Sequence, residues 1–191
     1  MQLIHPTHMT HARGACPSRS RRRALTLATS ALLSLAVVGC GSDGPVAPGL
    51  GAGSVTASGA VTTSVSGLAL FQSVSSGGTS LFQIVIAPVS QSATTWSLQI
   101  VNYSGRLAAG TYNLLPLSAS SSAPTASFYY TSGGNLQMFN STSGQLVITS
   151  SSSSAVRGTF TFTATDPAGG TSSVTAHGSF DAQCAPGITC Q

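Results

Sequence analysis

Apolar and polar residues alternate along much of the sequence from residue 54 onward. The segment FTFTA at 160–164 is one example, and the segment VTAHGSF at 174–180 is another. Successive side chains of a β-strand point to opposite faces, so a period of two places the apolar residues of each segment on one face. Trp96, Leu98 and Ile100 show the same alternation. Each of these segments is therefore predicted to be a strand with one buried face.

Further apolar runs are separated by short segments rich in glycine, serine and proline. They are Val55–Val65, Leu68–Val74, Leu81–Ala87, Thr111–Leu115, Ala126–Thr131, Leu136–Phe139 and Gln145–Thr149. Many short strands with turn signals between them, and no apolar period of 3.6 residues, are typical of sandwiches and barrels. The sequence predicts an all-β fold, an antiparallel β-sandwich or open barrel of about 8–10 short strands.

The runs that contain Phe160, Phe162 and Phe180 are joined by a turn at 166–170. They are predicted to form an antiparallel hairpin whose phenylalanines face the core. By the same alternation, Thr161 and His177 lie on the outward face.

The beginning of the sequence has a different pattern. A basic segment that ends at Arg23 precedes an apolar run without charge, from Ala24 to Val38. As a helix this run would be about 22 Å long, shorter than the roughly 30 Å hydrocarbon layer of a bilayer. A secretory signal peptide is therefore favoured over a transmembrane helix.

The segment Val37-Val38-Gly39-Cys40 resembles the lipobox of bacterial lipoproteins. This resemblance implies a signal peptide over residues 1–39, cleavage before Cys40, and acyl chains such as palmitate on the new amino-terminal cysteine. Two or three acyl chains hold a protein durably on a membrane, because each buried methylene contributes about 0.8 kcal/mol. Since Gly41 follows the cysteine, the resemblance points to the outer membrane. An ordinary thiol after an ordinary cleavage is the alternative.

The rest of the chain is expected to have three parts. Residues 40–53, rich in glycine, proline and alanine, are predicted to be the lipidated cysteine and a flexible tether. The antiparallel β domain is expected over 54–183, and a disulfide-closed tail over 184–191. Cys184 and Cys190 flank a Pro-Gly turn, and exported proteins are oxidised, so a disulfide is favoured over a metal or redox site.

Several segments between residues 107 and 182 follow one another in an informative order. They are AGTY at 109–112, YY at 129–130, GQLVIT at 144–149, RGTFTFTA at 157–164 and HGSFD at 177–181. This order resembles a group of small bacterial lipoproteins of uncharacterised function, whose carboxyl-terminal half repeats Gly-x-Phe strands. The resemblance implies an all-β domain on a lipid anchor, and it carries over no catalytic residue.

Charged residues are few, and most lie before the predicted cleavage point. Five of the 7 arginines fall in the first 23 residues, and the sequence has no lysine or glutamate. From residue 40 onward only Arg106 and Arg157 are basic. Nucleic acid is excluded as a partner, because binding phosphates needs a cluster of cations.

Candidate catalytic residues are equally few. General acid–base catalysis needs a group that titrates near neutral pH, and His177 is the one histidine after residue 40. An envelope hydrolase could use His177 with Asp166 or Asp181, but no nucleophile elbow or other placed serine accompanies them. We therefore predict no catalytic residue, no metal site and no cofactor, and interpret His177 as a solvated surface residue.

Tyr129 is the candidate for contact with a ligand. It faces outward if Phe128 and Tyr130 face the core, and beside Arg106 or Tyr103 it could form a platform for a sugar ring. An ordinary exposed tyrosine is the alternative. Taken together, the sequence predicts a non-enzymatic lipoprotein, anchored to the cell envelope, with a β module that binds envelope glycan or protein or serves structurally.

Overall fold

Nine β-strands and no helix form the regular structure of the described residues in a computed structural model, which covers 49–90, 92, 94–117 and 122–191. The strands are β1 (Gly51–Gly59), β2 (Thr63–Ser76), β3 (Thr79–Ala87), β4 (Thr94–Asn102), β5 (Gly110–Asn113), β6 (Thr125–Ser132), β7 (Asn135–Ser151), β8 (Ala155–Thr165) and β9 (Ser173–Cys184). Within these ranges, no helix has the length and hydropathy that crossing a membrane requires. The predicted signal peptide and Cys40 lie outside the described residues.

Eight of the strands close into an antiparallel barrel. Its circular order is β1, β2, β3, β4, β6, β7, β8 and β9, and β9 pairs back onto β1 from Ala52↔Asp181 to Gly59↔Val174. β5 is an extra strand that pairs only with β7, beyond the stretch that pairs with β6. The all-β prediction is confirmed. Of the two predicted architectures the structure has the barrel, and the barrel is closed rather than open.

Apolar side chains from every barrel strand fill the interior. The largest fully buried ones are Phe71, Phe82, Phe128, Phe139, Phe162, Ile84, Ile86, Leu98, Ile100, Leu146 and Ile148, and Leu114 from the loop after β5 is also fully buried. Phe160 and Phe180 are also buried, and β8 pairs antiparallel with β9, as the predicted hairpin requires. An eight-stranded barrel is narrow enough for side chains to fill. The interior is therefore a packed core, and ligands must be sought on the outer surface or at the ends.

The Gly-x-Phe spacing of β8 and β9 serves this packing. Gly158 pairs with Phe180, and Phe160 pairs with Gly178, so each of these glycines lies opposite a phenylalanine of the other strand. A Cβ atom on Gly158 would lie 2.9 Å from Cζ of Phe180, and one on Gly178 would lie 2.7 Å from Cζ of Phe160. Each ring therefore occupies the space that a side chain on the opposite strand would need.

Several element boundaries differ from those predicted. The run from Val55 to Val65 is two strands, because the chain turns after Gly59, whose φ is +108°. The predicted strands at 136–139 and 145–149 are parts of β7, which continues through an irregular pairing between Ser141 and Ser143. β1 begins at Gly51, so the last residues assigned to the tether belong to the barrel.

The predicted disulfide between Cys184 and Cys190 is present, with the two Cα atoms 6.1 Å apart. It closes a tail that runs beside β2. The backbone N–H of Ala185 donates to the carbonyl of Phe71 at 2.9 Å, and that of Gln191 donates to the carbonyl of Ser73 at 3.2 Å. The tail thereby covers part of the β2 edge that β1 leaves unpaired.

Candidate functional site

A groove of about 360 Å³ lies on the outer surface of the barrel, across β4 and β6 and the neighbouring ends of β3 and β7. We call it the Tyr129 groove. Its lining residues are Ala87, Pro88, Thr95, Trp96, Ser97, Gln99, Tyr129, Thr131 and Leu136. None of them carries a charge at neutral pH. The volume lies within the range of small-molecule sites.

The strand register explains how the groove forms. Alternation along β4 turns Trp96 and Leu98 toward the core and leaves Ser97 and Gln99 on the outer face. Ser97 pairs with Tyr129 of β6. Ser97 therefore lies directly beside Tyr129, and Gln99 is a diagonal neighbour of this tyrosine.

Thr131 and Leu136 complete the far side of the groove. Thr131 pairs with Thr95 on one side and with Leu136 of β7 on the other. The Leu136 side chain is 66% exposed. The groove therefore combines an apolar rim with hydroxyl and amide groups.

Of the residues predicted to form a ligand platform, Tyr129 with Arg106 or Tyr103, only Tyr129 lies at this groove. Tyr129 is half-buried and faces outward, whereas Phe128 is fully buried and stacks on Tyr130 with ring centroids 6.4 Å apart. Arg106 is exposed in the loop that follows β4 and does not line the groove. Tyr103, in the same loop, is also exposed. Both belong to the end of β4 farther from Ser97, the residue that pairs with Tyr129.

Sequence reasoning missed Gln99, Thr95 and Thr131. The signal for Gln99 was available, because the alternation that buries Trp96, Leu98 and Ile100 places Gln99 on the outward face with Ser97. What the sequence lacked was the neighbour of β4. The strand that follows it in the chain is β5, but β4 pairs with β6.

Trp96 is the one tryptophan of the chain and is only 7% exposed. It contributes to the Tyr129 groove and also to a second depression of about 700 Å³, and Pro88 is the other residue that lines both. This second depression lies between β1, β2 and the loop after β3, and serine and threonine dominate its lining. The fluorescence of Trp96 therefore reports on this whole region.

The described charges lie away from the Tyr129 groove. Nε of Arg157 donates to Oδ2 of Asp181 at 2.8 Å, and this ion pair joins β8 to β9. β9 is four strands from β4 in either direction around the eight-stranded barrel. Asp166 accepts a hydrogen bond from the backbone N–H of Ala168 at 2.8 Å, within the β8–β9 turn. The groove is therefore a neutral surface.

His177 is exposed on the outward face of β9, as its alternation predicts. Asp181 is four residues further along the same strand, about 13 Å away. Its carboxylate accepts hydrogen bonds from Nε of Arg157 and from Nε2 of Gln183. Asp166 is bonded within its own turn. The structure therefore does not bring His177 together with either carboxylate.

Metal-ligating side chains are also dispersed. Across the part of the chain that the structure describes, His, Cys, Asp and Glu residues form no group of three that could hold a metal ion.

No protein-family model matches the sequence, and comparisons with curated proteins and with solved structures likewise give no match.

Proposed function

We propose that this protein is a lipoprotein of the bacterial cell envelope, anchored through acyl chains on Cys40, whose barrel is a non-enzymatic binding module. The observation that carries the binding role is the Tyr129 groove, which joins a half-buried aromatic ring to amide and hydroxyl groups. The packed interior is compatible with this proposal, because it leaves the outer surface and the barrel ends as the places for a ligand. The lipobox resemblance at 37–40 supports the anchor.

The anchor is tested by metabolic labelling with an alkyne analogue of palmitate. The full chain should incorporate the label, Cys40→Ser should abolish incorporation, and Cys184→Ser, which removes a disulfide cysteine, should leave it intact. Mass spectrometry should place the mature amino terminus at an acylated Cys40. An unmodified amino terminus at another residue would refute the anchor.

The binding role is tested by recovering the tagged full chain from detergent-solubilised envelopes. Leu136→Arg places a cation at the exposed rim of the groove, whereas Leu117→Arg changes a leucine that is 52% exposed and does not line the groove. Wild type and Leu117→Arg should retain the same glycan or protein, and Leu136→Arg should lose it. If all three proteins retain the same material, or none retains any, the groove is not a binding site.

The rival function, an envelope hydrolase, is tested in the same preparations. Ester and glycoside substrates should remain intact in the presence of the wild-type chain. Hydrolysis that His177→Ala abolishes would replace the binding proposal by the enzymatic one.

A further inference from the structure

We infer that the ligand of the Tyr129 groove is a neutral saccharide, an inference that rests on the proposed binding role of the barrel. The ring of Tyr129 provides a flat apolar surface with a polar edge, beside the apolar side chains of Pro88 and Leu136. A pyranose ring has C–H groups on its faces and hydroxyls around its edge. An aromatic ring surrounded by polar groups is complementary to that arrangement.

The polar groups of the groove are free to bind such a ligand. Among the described residues, the side chains of Gln99, Thr95 and Thr131 make no hydrogen bond. By contrast, two glutamines elsewhere on the outer face satisfy each other, since Nε2 of Gln72 donates to Oε1 of Gln83 at 2.7 Å. An amide and hydroxyls each offer a donor and an acceptor, which is what sugar hydroxyls require.

This lining disfavours the other classes of ligand. A fatty acyl chain would cover the Gln99 amide and the threonine hydroxyls without hydrogen-bonding them, and unsatisfied buried polar groups are costly. A phosphorylated or carboxylated sugar would lose the hydration of its charge, and no cation lines the groove to replace it. A neutral, polyhydroxylated ligand carries neither cost.

Binding can be followed by the fluorescence of Trp96, because this one tryptophan lines the groove. The full chain in detergent micelles is titrated with cellotetraose, maltotetraose and chitotetraose, and with an oligogalacturonate as the anionic counterpart. At least one neutral probe should give a saturable change, and oligogalacturonate should give none.

Three tyrosine variants test whether the aromatic face is responsible. Tyr129→Ala should weaken binding about tenfold, which corresponds to about 1.4 kcal/mol of lost stacking. Tyr129→Phe keeps the face and should stay within about threefold of wild type, less than about 0.7 kcal/mol. Tyr103→Ala removes an exposed tyrosine outside the groove and should bind as wild type does. Circular dichroism of each variant separates loss of binding from loss of fold.

The outcomes distinguish this inference from the proposed function. If no neutral probe binds, or if Tyr129→Ala binds as well as Tyr103→Ala does, the saccharide inference is wrong. In that case Leu136-dependent retention of envelope protein would still support a binding module. If retention also fails, both are wrong.

Discussion

Replacing Gly178 by alanine tests the packing between β9 and its neighbours. A Cβ atom at this position would lie 1.9 Å from the carbonyl oxygen of Ser54 and 2.7 Å from Cζ of Phe160. Cβ atoms in proteins essentially never lie closer than 3.0 Å to an atom outside their own and the adjacent residues. The Phe160 ring could rotate away, but the Ser54 oxygen belongs to the backbone of β1. β1 and β9 would therefore have to separate by more than 1 Å at this point.

The expected loss follows from three contributions. Overpacking of a core costs about 1 to 3 kcal/mol. Loss of one or two strand hydrogen bonds between β1 and β9 adds about 1 to 2 kcal/mol. Alanine restricts the unfolded chain more than glycine does, and this offsets about 0.4 to 1 kcal/mol of the loss. The free energy of unfolding should therefore fall by about 1 to 5 kcal/mol, out of the 5 to 15 kcal/mol typical of a domain.

Equilibrium unfolding in guanidinium chloride, followed by Trp96 fluorescence, measures this change as a shift of the midpoint. Ser179→Ala is the matched control, because it changes the next residue of β9 on the exposed face. It removes only a solvent-exposed hydrogen bond to the Ser54 hydroxyl and should alter stability by less than about 1 kcal/mol. Equal midpoints for Gly178→Ala and Ser179→Ala would show that the close approach of β1 and β9 at Gly178 is wrong.

Four further substitutions, one of them a control, test other parts of the structure by the same measurement. Phe162→Ala removes a side chain that is 1% exposed and should cost about 3 to 5 kcal/mol. Thr161→Ala, on the outward face of the same strand, should cost less than about 1 kcal/mol. Equal costs would refute the assignment of inward and outward faces along β8. Cys190→Ser opens the disulfide loop and should cost about 2 kcal/mol, a difference that should vanish when both proteins are reduced. Arg157→Ala breaks an ion pair whose two side chains are 57% and 43% exposed and should cost less than about 1 kcal/mol. The cost should fall further at high salt, which screens an exposed pair. A larger loss would mean that β8 and β9 depend on this pair.

Alternation of apolar and polar residues predicted most of the strand segments and their buried faces. The phenylalanines of β8 and β9 face the core as predicted, and Tyr129 faces outward because Phe128 and Tyr130 do not. Local pattern failed where one strand ended and another began within a run of small residues. Ala57, Ser58, Gly59 and Ala60 contain no strong turn signal apart from one glycine, so β1 and the start of β2 looked continuous.

Closure of the barrel and assembly of the groove could not be predicted in the same way. Both depend on which strands become neighbours, and a period of two does not encode that. β6 joins β4 across the whole segment that contains β5, and this pairing places Tyr129 beside Ser97 rather than near Arg106. The outward-facing tyrosine could therefore be predicted from the sequence, but its neighbours in the groove could not.

The pairing of β1 with β9 also determines when folding can be completed. The hydroxyls of Ser54 and Ser179 lie 3.2 Å apart, although 125 residues separate them along the chain. Contacts at such a separation form late, because the entropy of closing the intervening loop is lost before any stabilisation is gained. Until β9 arrives, the free edge of β1 presents the segment GAGSVTASG, whose one large apolar residue is Val55, and such an edge is a poor template for aggregation. The first and last strands of the barrel can therefore pair only after the whole segment between them has been synthesised.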